Sequence, residues 1–177
     1  MHRTAKNKAH FYLVTLWDDI HAATLGTAHL PMEEGGQIHI YYVCATSSPR
    51  TQNESREVGG SNVIARLWRG IVPIPKADAY LDYLSDFGLR DYETYDGFGG
   101  AHLMRAATST MVEIVLLSFW HSWQSIIAYT GSDPEKARYY PYDLECLINP
   151  ARSVEHCEVS GAEVGTSRTR RLLRIQG

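Results

Sequence analysis

The chain has 177 residues, 44% of them hydrophobic and 21% charged, with a net charge of −3. That suits one domain with room for flanking segments. Residues 61–160 hold 8 Lys and Arg against 13 Asp and Glu, too acidic a body for a nucleic-acid surface. The three cysteines, Cys44, Cys146 and Cys157, have no CxxC spacing, so they form neither a disulfide framework nor a zinc site and read as free thiols of a reducing cytoplasm. The apolar run FYLVTLW is short for a signal peptide and for a membrane span, which predicts a cytoplasmic chain with no membrane contact.

In chain order, residues 1–9 read as a loose polar leader. His10 to Trp17 has strand character, Asp18-Asp19 opens a short helix to Leu25, and Gln37 to Ala45 is again strand-like. Residues 10–45 thus form a β-α-β flank. Residues 46–61 are rich in polar residues, Pro and Gly, and read as a linker. Residues 161–177 carry Arg168, Arg170, Arg171 and Arg174 against Glu163 and read as a solvated basic tail.

Between linker and tail, in 62–160, the pattern is regular. Asn62 to Val72 alternates as a strand, with Ile64, Arg66 and Trp68 on one side and Val63, Ala65 and Leu67 on the other. Pro73 and Pro75 end it. Lys76 to Phe87 then carries Ala77, Tyr80, Leu81 and Leu84 as a helical stripe, with Gly88 as C-cap. Arg90 to Gly97 reads as a connection, Phe98 to Ala107 as a strand, and Thr108-Ser109-Thr110 as a turn. Met111 to Trp120 is apolar on both faces, as a central strand requires. Ser122 caps a helix to Thr130. Pro134 to Arg138 and Tyr142 to Ile148 read as short helical pieces, and Ser153 to Val159 as the last strand. Strand, helix, strand, strand, helix, strand is the ferredoxin-like βαββαβ arrangement, an α+β fold with an antiparallel sheet and helices on one face. The bare face needs cover, which predicts a homodimer joined through its sheets.

The segments VIARLWRGIVPIPKADAYLDYL, LLSFWHSWQSIIAYTG, ARYYPYD and VEHCEV occur in that order. Through them residues 63–159 resemble the antibiotic biosynthesis monooxygenase family. The resemblance implies a dimeric α/β-barrel, a cavity between sheet and helices, and oxygen chemistry on electron-rich aromatics, often without metal or flavin. It also implies that Trp120 lines that cavity. The haem-degrading branch needs an asparagine inside the first strand and a histidine in the second helix. Here Asn62 stands only at the strand edge and residues 122–130 lack histidine, so haem degradation is not expected. FYLVTLWDDIHAAT aligns without gaps to IVLLSFWHSWQSII, placing Trp17 opposite Trp120, so residues 10–45 are also readable as a degenerate half-repeat.

Oxygenation without a cofactor needs a flat slot, a base or anion holder, and exclusion of water. The candidates are Trp120, His121 and Arg66 for the chemistry, and Trp68, Tyr139, Tyr140, His102 and His156 for the walls, with Arg105 as a further anion holder. The substrate expected is a small quinol, anthrone or similar phenol. The alternative is a dimeric small-molecule-binding protein of the same fold without turnover. The eight histidines show no metal-ligand spacing and no GxGxxG follows a strand, so neither metal nor dinucleotide is expected.

Overall fold

The computed structural model describes the backbone of residues 11–15, 160–164 and 171–176, and all atoms of residues 39, 41–48 and 63–159. Seven strands form one open sheet: β1 (Phe11–Thr15), β2 (Tyr42–Ser47), β3 (Ile64–Pro73), β4 (Phe98–Ala107), β5 (Met111–Trp120), β6 (Glu155–Val164) and β7 (Arg171–Gln176). Their order is β1-β7-β6-β3-β5-β4-β2, and every neighbouring pair is antiparallel. The chain is therefore α+β with an antiparallel open sheet. The described helices are α1 (Ile74–Tyr83), a π-helical turn Leu84–Gly88, α2 (Leu89–Tyr92), α3 (Trp123–Thr130) and α4 (Pro141–Cys146). None is long and apolar enough to cross a membrane.

β5 lies between β3 and β4 because both of its faces are apolar and only an inner strand can bury both. Its register on β3 runs from Ile64 opposite Trp120 to Pro73 opposite Met111. One face carries Val112, Ile114, Leu116 and Trp120, which join Ile64, Trp68 and Val72 of β3 under the helices. The helices answer with Ala77, Tyr80 and Leu84 on one side and Ile126 and Tyr129 on the other. Fully burying such a side chain contributes roughly 1.5–3 kcal/mol before chain entropy is charged against it. The helix starts are built locally. Pro73 is held extended, and the amide of Ile74 donates to Thr110 O at 3.3 Å in the turn between β4 and β5. Ser122 Oγ accepts from the amide of Ser125 at 3.1 Å, the N-cap that its position suggests.

The opposite face carries a smaller cluster of Ala65, Met104, Val115, Leu117 and Cys157, and none of the described helices contributes to it. Val115 is only 2% and Leu117 only 1% exposed within one chain. Tyr41, just before β2, leans over this face. Its hydroxyl donates to Glu113 at 2.9 Å and accepts from Arg69 Nη1 at 3.1 Å. The centre of the face excludes water without a second copy of the chain.

Several expectations need correction. Arg171–Gln176 is not a tail but a strand, seated between β6 and β1. Gly88 does not end its helix. It has φ −62° and ψ −48°, and the chain stays helical to Tyr92 through a π turn. The connection expected from Arg90 is therefore shorter. Residues 134–138 are not a helix: 134–135 form a turn and Lys136 is bridged to Ser153. The strand expected at Gln37 is placed at Tyr42–Ser47. Trp17, the helix expected after it, and residues 49–61 of the linker lie outside the described residues.

Candidate functional site

Between the sheet and the helices is a cavity of about 30 Å³, room for roughly two water molecules. Arg66, Trp68 and Leu116 bring the sheet to it, and Tyr80, Leu84, Gly88 and Tyr92 the first helical stretch. α3 supplies Tyr129. The segment leading into α4 supplies Arg138, Tyr139, Tyr140 and Asp143. The π turn matters here. Its wider coil brings both Leu84 and Gly88 to the wall, and single π turns of this kind recur at functional sites.

Arg66 is the unusual member. It points to the helix side of β3 and is 2% exposed. One Nη donates to Lys136 O at 3.2 Å, the guanidinium carbon lies 5.5 Å from the Tyr129 ring centre, and Nε has no hydrogen-bond partner. Arg138 approaches the same tyrosine ring at 4.9 Å but is well satisfied. Its Nη1 reaches Tyr129 O at 2.9 Å, Tyr95 Oη at 3.1 Å and Asp91 Oδ2 at 3.4 Å.

The tyrosines of the wall are donors, not bases. Tyr80 donates to Asp143 Oδ1 at 2.9 Å, and Tyr140 donates to Asp91. Burial first, and then the neighbouring carboxylate, push both phenols well above the usual tyrosine range. Burial also pushes Tyr129 well up and raises Tyr139. Asp143 is itself occupied, because its Oδ2 accepts from the Tyr140 amide at 2.7 Å at the start of α4. Burial raises its carboxyl above the ordinary aspartate value. Trp68 Nε1 donates to Tyr139 Oη at 3.2 Å, and Tyr139 Oη donates in turn to Ala151 O at 2.7 Å.

Four of the residues expected from the sequence meet at this cavity: Arg66, Trp68, Tyr139 and Tyr140. The others do not line it. Trp120 is completely buried one layer behind the wall. It stacks on Tyr129 at 5.6 Å, meets Tyr92 and Phe98 edge-on, and donates from Nε1 to Ser118 Oγ. Its indole fills the core under the cavity, where expectation had placed it in the wall. His121 is exposed in the turn after β5. His102 lies on the helix-free side, edge-on to Phe119 and 3.3 Å from Thr46 Oγ1. Arg105 is engaged at the surface with Asp78 at 2.9 Å. His156 faces Arg66 across β3 and β6, with its ring 5.0 Å from Trp123 and Nε2 without a partner. Burial and the Arg66 charge lower its pKa to about 4, so it is neutral near pH 7. The sequence reading missed Tyr80, Tyr129, Arg138 and Asp143 as wall residues. Tyr80 was already on the inward stripe of its helix, and that was the available signal.

Among the described residues no group of three or more His, Cys, Asp or Glu is gathered as a metal site. No protein-family model matches the chain, and no curated protein matches it.

Proposed function

We propose that this chain is a small-molecule-binding protein, built on a ferredoxin-like βαββαβ unit of residues 62–160, whose ligand enters between sheet and helices beside Arg66, Trp68 and Tyr139. One observation carries the reading. Three charged, one indole and several phenolic side chains from four separate stretches of chain converge on a single cavity, and convergent polar groups in an apolar recess are the usual mark of a ligand site. The likeness of residues 63–159 to the antibiotic biosynthesis monooxygenases belongs to the same proposal. Titrating the full chain with phenol and hydroquinone, and following tryptophan fluorescence and heat, tests it. Saturable binding that is lost in Trp68→Ala and Tyr139→Phe supports it, and no binding by any probe removes it.

Cofactor-free oxygenation of a phenol is the second reading, favoured by the indole and phenol wall. It is weaker on two counts. A cavity of about 30 Å³ falls far below the several hundred Å³ of ordinary ligand pockets, so an anthrone requires large side-chain movements. The histidine beside the site, His156, is neutral but turned against Trp123, and the phenols of Tyr80, Tyr129, Tyr139 and Tyr140 hold their protons. Oxygen uptake with a panel of quinols and anthrones decides it. A homodimer is likewise a proposal, and the buried state of Val115 and Leu117 in one chain does not call for one. Sedimentation at micromolar concentration measures it.

A further inference from the structure

Four of the described arginines of the domain contrast with Arg66, and a further one, Arg152, is simply exposed. Arg69, Arg90, Arg105 and Arg138 each have a carboxylate within 4 Å and are partly or well exposed. Arg66 is 2% exposed, and no carboxylate among the described residues pairs with it. Among the described residues its guanidinium makes one hydrogen bond, to the Lys136 carbonyl, and its Nε–H has no acceptor. Buried charges are normally paired and hydrogen-bonded, because water has been removed and nothing else offsets the field. Stacking on Tyr129 relieves part of this and holds the guanidinium plane in place, but it supplies no acceptor for Nε.

We propose that Arg66 receives the negatively charged head of the ligand, a small monocarboxylate, at the sheet-side wall of the cavity. This rests on the reading that the cavity takes a ligand, and it adds the ligand's charge and size. The charge follows from the partners already made. Arg138 is held by Asp91, Tyr95 and the Tyr129 carbonyl, so Arg66 is the guanidinium of the wall with a donor to spare. Asp143 on the α4 wall has both oxygens engaged and stays negative when ionised, which disfavours a dianion. The size follows from the volume of about 30 Å³, room for a head of few atoms rather than a ring. The geometry of the donor suits a carboxylate, since the planar guanidinium fork offers parallel N–H groups to two oxygens. Arg66 Nε and His156 Nε2 are the unpartnered buried side-chain atoms among the described residues, and their residues face each other across β3 and β6.

The test uses the folded full chain at neutral pH, titrated calorimetrically with formate and acetate and, in parallel, with formamide and acetamide. A charge-assisted hydrogen bond in place of a neutral one predicts carboxylate binding about tenfold tighter than amide binding, or more. The Arg66 Nε–H resonance, followed by NMR, moves on adding acetate. In Arg66→Gln the preference for carboxylate over amide disappears, while Arg66→Lys keeps part of it. Equal affinity for amide and carboxylate overturns the proposal, as does an Arg66 resonance that stays still in the wild-type chain. If phenol or hydroquinone binds and the carboxylates do not, the cavity remains a ligand site and the anionic head is wrong. If nothing binds, both readings fall together.

Discussion

Trp120 Nε1 donates to Ser118 Oγ at 3.0 Å, and Ser118 Oγ donates in turn to the Arg66 carbonyl at 3.3 Å. The indole N–H is therefore spent inside the core, on a serine of its own strand, and faces no ligand. Trp120→Ala removes a side chain with 0% exposure and costs about 3–5 kcal/mol. Trp120→Phe keeps most of the volume and lowers the melting temperature less. Ligand affinity at the cavity stays near that of the parent in Trp120→Phe. Melting curves and binding titrations on the same samples check this, and a large loss of binding without loss of stability would return Trp120 to the wall.

His156 makes stability depend on pH. Its folded pKa of about 4 lies below its ordinary value of 6.5, so the folded state binds fewer protons than the unfolded state between those values. The neutral form's contribution is present above pH 6.5 and is lost as pH falls from there to about 4. Urea unfolding at several pH values shows stability dropping across this window. In His156→Leu the drop shrinks, while a slope unchanged by the substitution assigns it to other groups.

Gly70 carries no side chain because Trp68 and Leu147 fill the space where one would stand. A Cβ there would lie 2.4 Å from Trp68 Cη2 and 2.6 Å from Leu147 Cδ2. Gly70→Ala therefore destabilises the fold by roughly 1–3 kcal/mol through overpacking. It also pushes the indole toward the cavity, which weakens the hydrogen bond to Tyr139 and shifts the tryptophan emission. An unchanged emission spectrum and melting temperature would contradict this packing.

Asp143 ties α4 to α1. One oxygen takes the Tyr80 hydroxyl and the other the Tyr140 amide. Asp143→Ala leaves both donors without an acceptor in a buried place and costs about 1–3 kcal/mol for each group so stranded. Asp143→Asn retains one acceptor and loses less. Tyr80→Phe, which removes the donor as well, is milder than Asp143→Ala. Chemical denaturation of the three variants ranks them, and the reverse order for Tyr80→Phe and Asp143→Ala would show that Tyr80 holds the pair together in another way.

Local rules made much of the sheet readable. Period-two alternation placed Ile64, Arg66 and Trp68 on one face and Ala65 and Leu67 on the other, and the apolar content of both faces made β5 an inner strand. Ser122 announced its helix because an N-cap is a matter of one side chain and an amide three residues away. These signals are local, and tertiary packing reinforced them.

What the sequence could not decide depends on partners distant along the chain. Tyr80 and Asp143 are 63 positions apart, and Trp68 and Tyr139 are 71 apart, so no window of sequence contains either pair. Composition read residues 171–176 as a charged tail, while backbone pairing to β6 and β1 makes them a strand. Alternation told which face Trp120 occupies but not whether Tyr92 and Tyr129 stand between it and the cavity. Arg66 was legible as a cation on the helix side of its strand. That its Nε is left without an acceptor became visible only when the described residues had taken their places, since pairing is a property of three-dimensional neighbours and burial sets its cost.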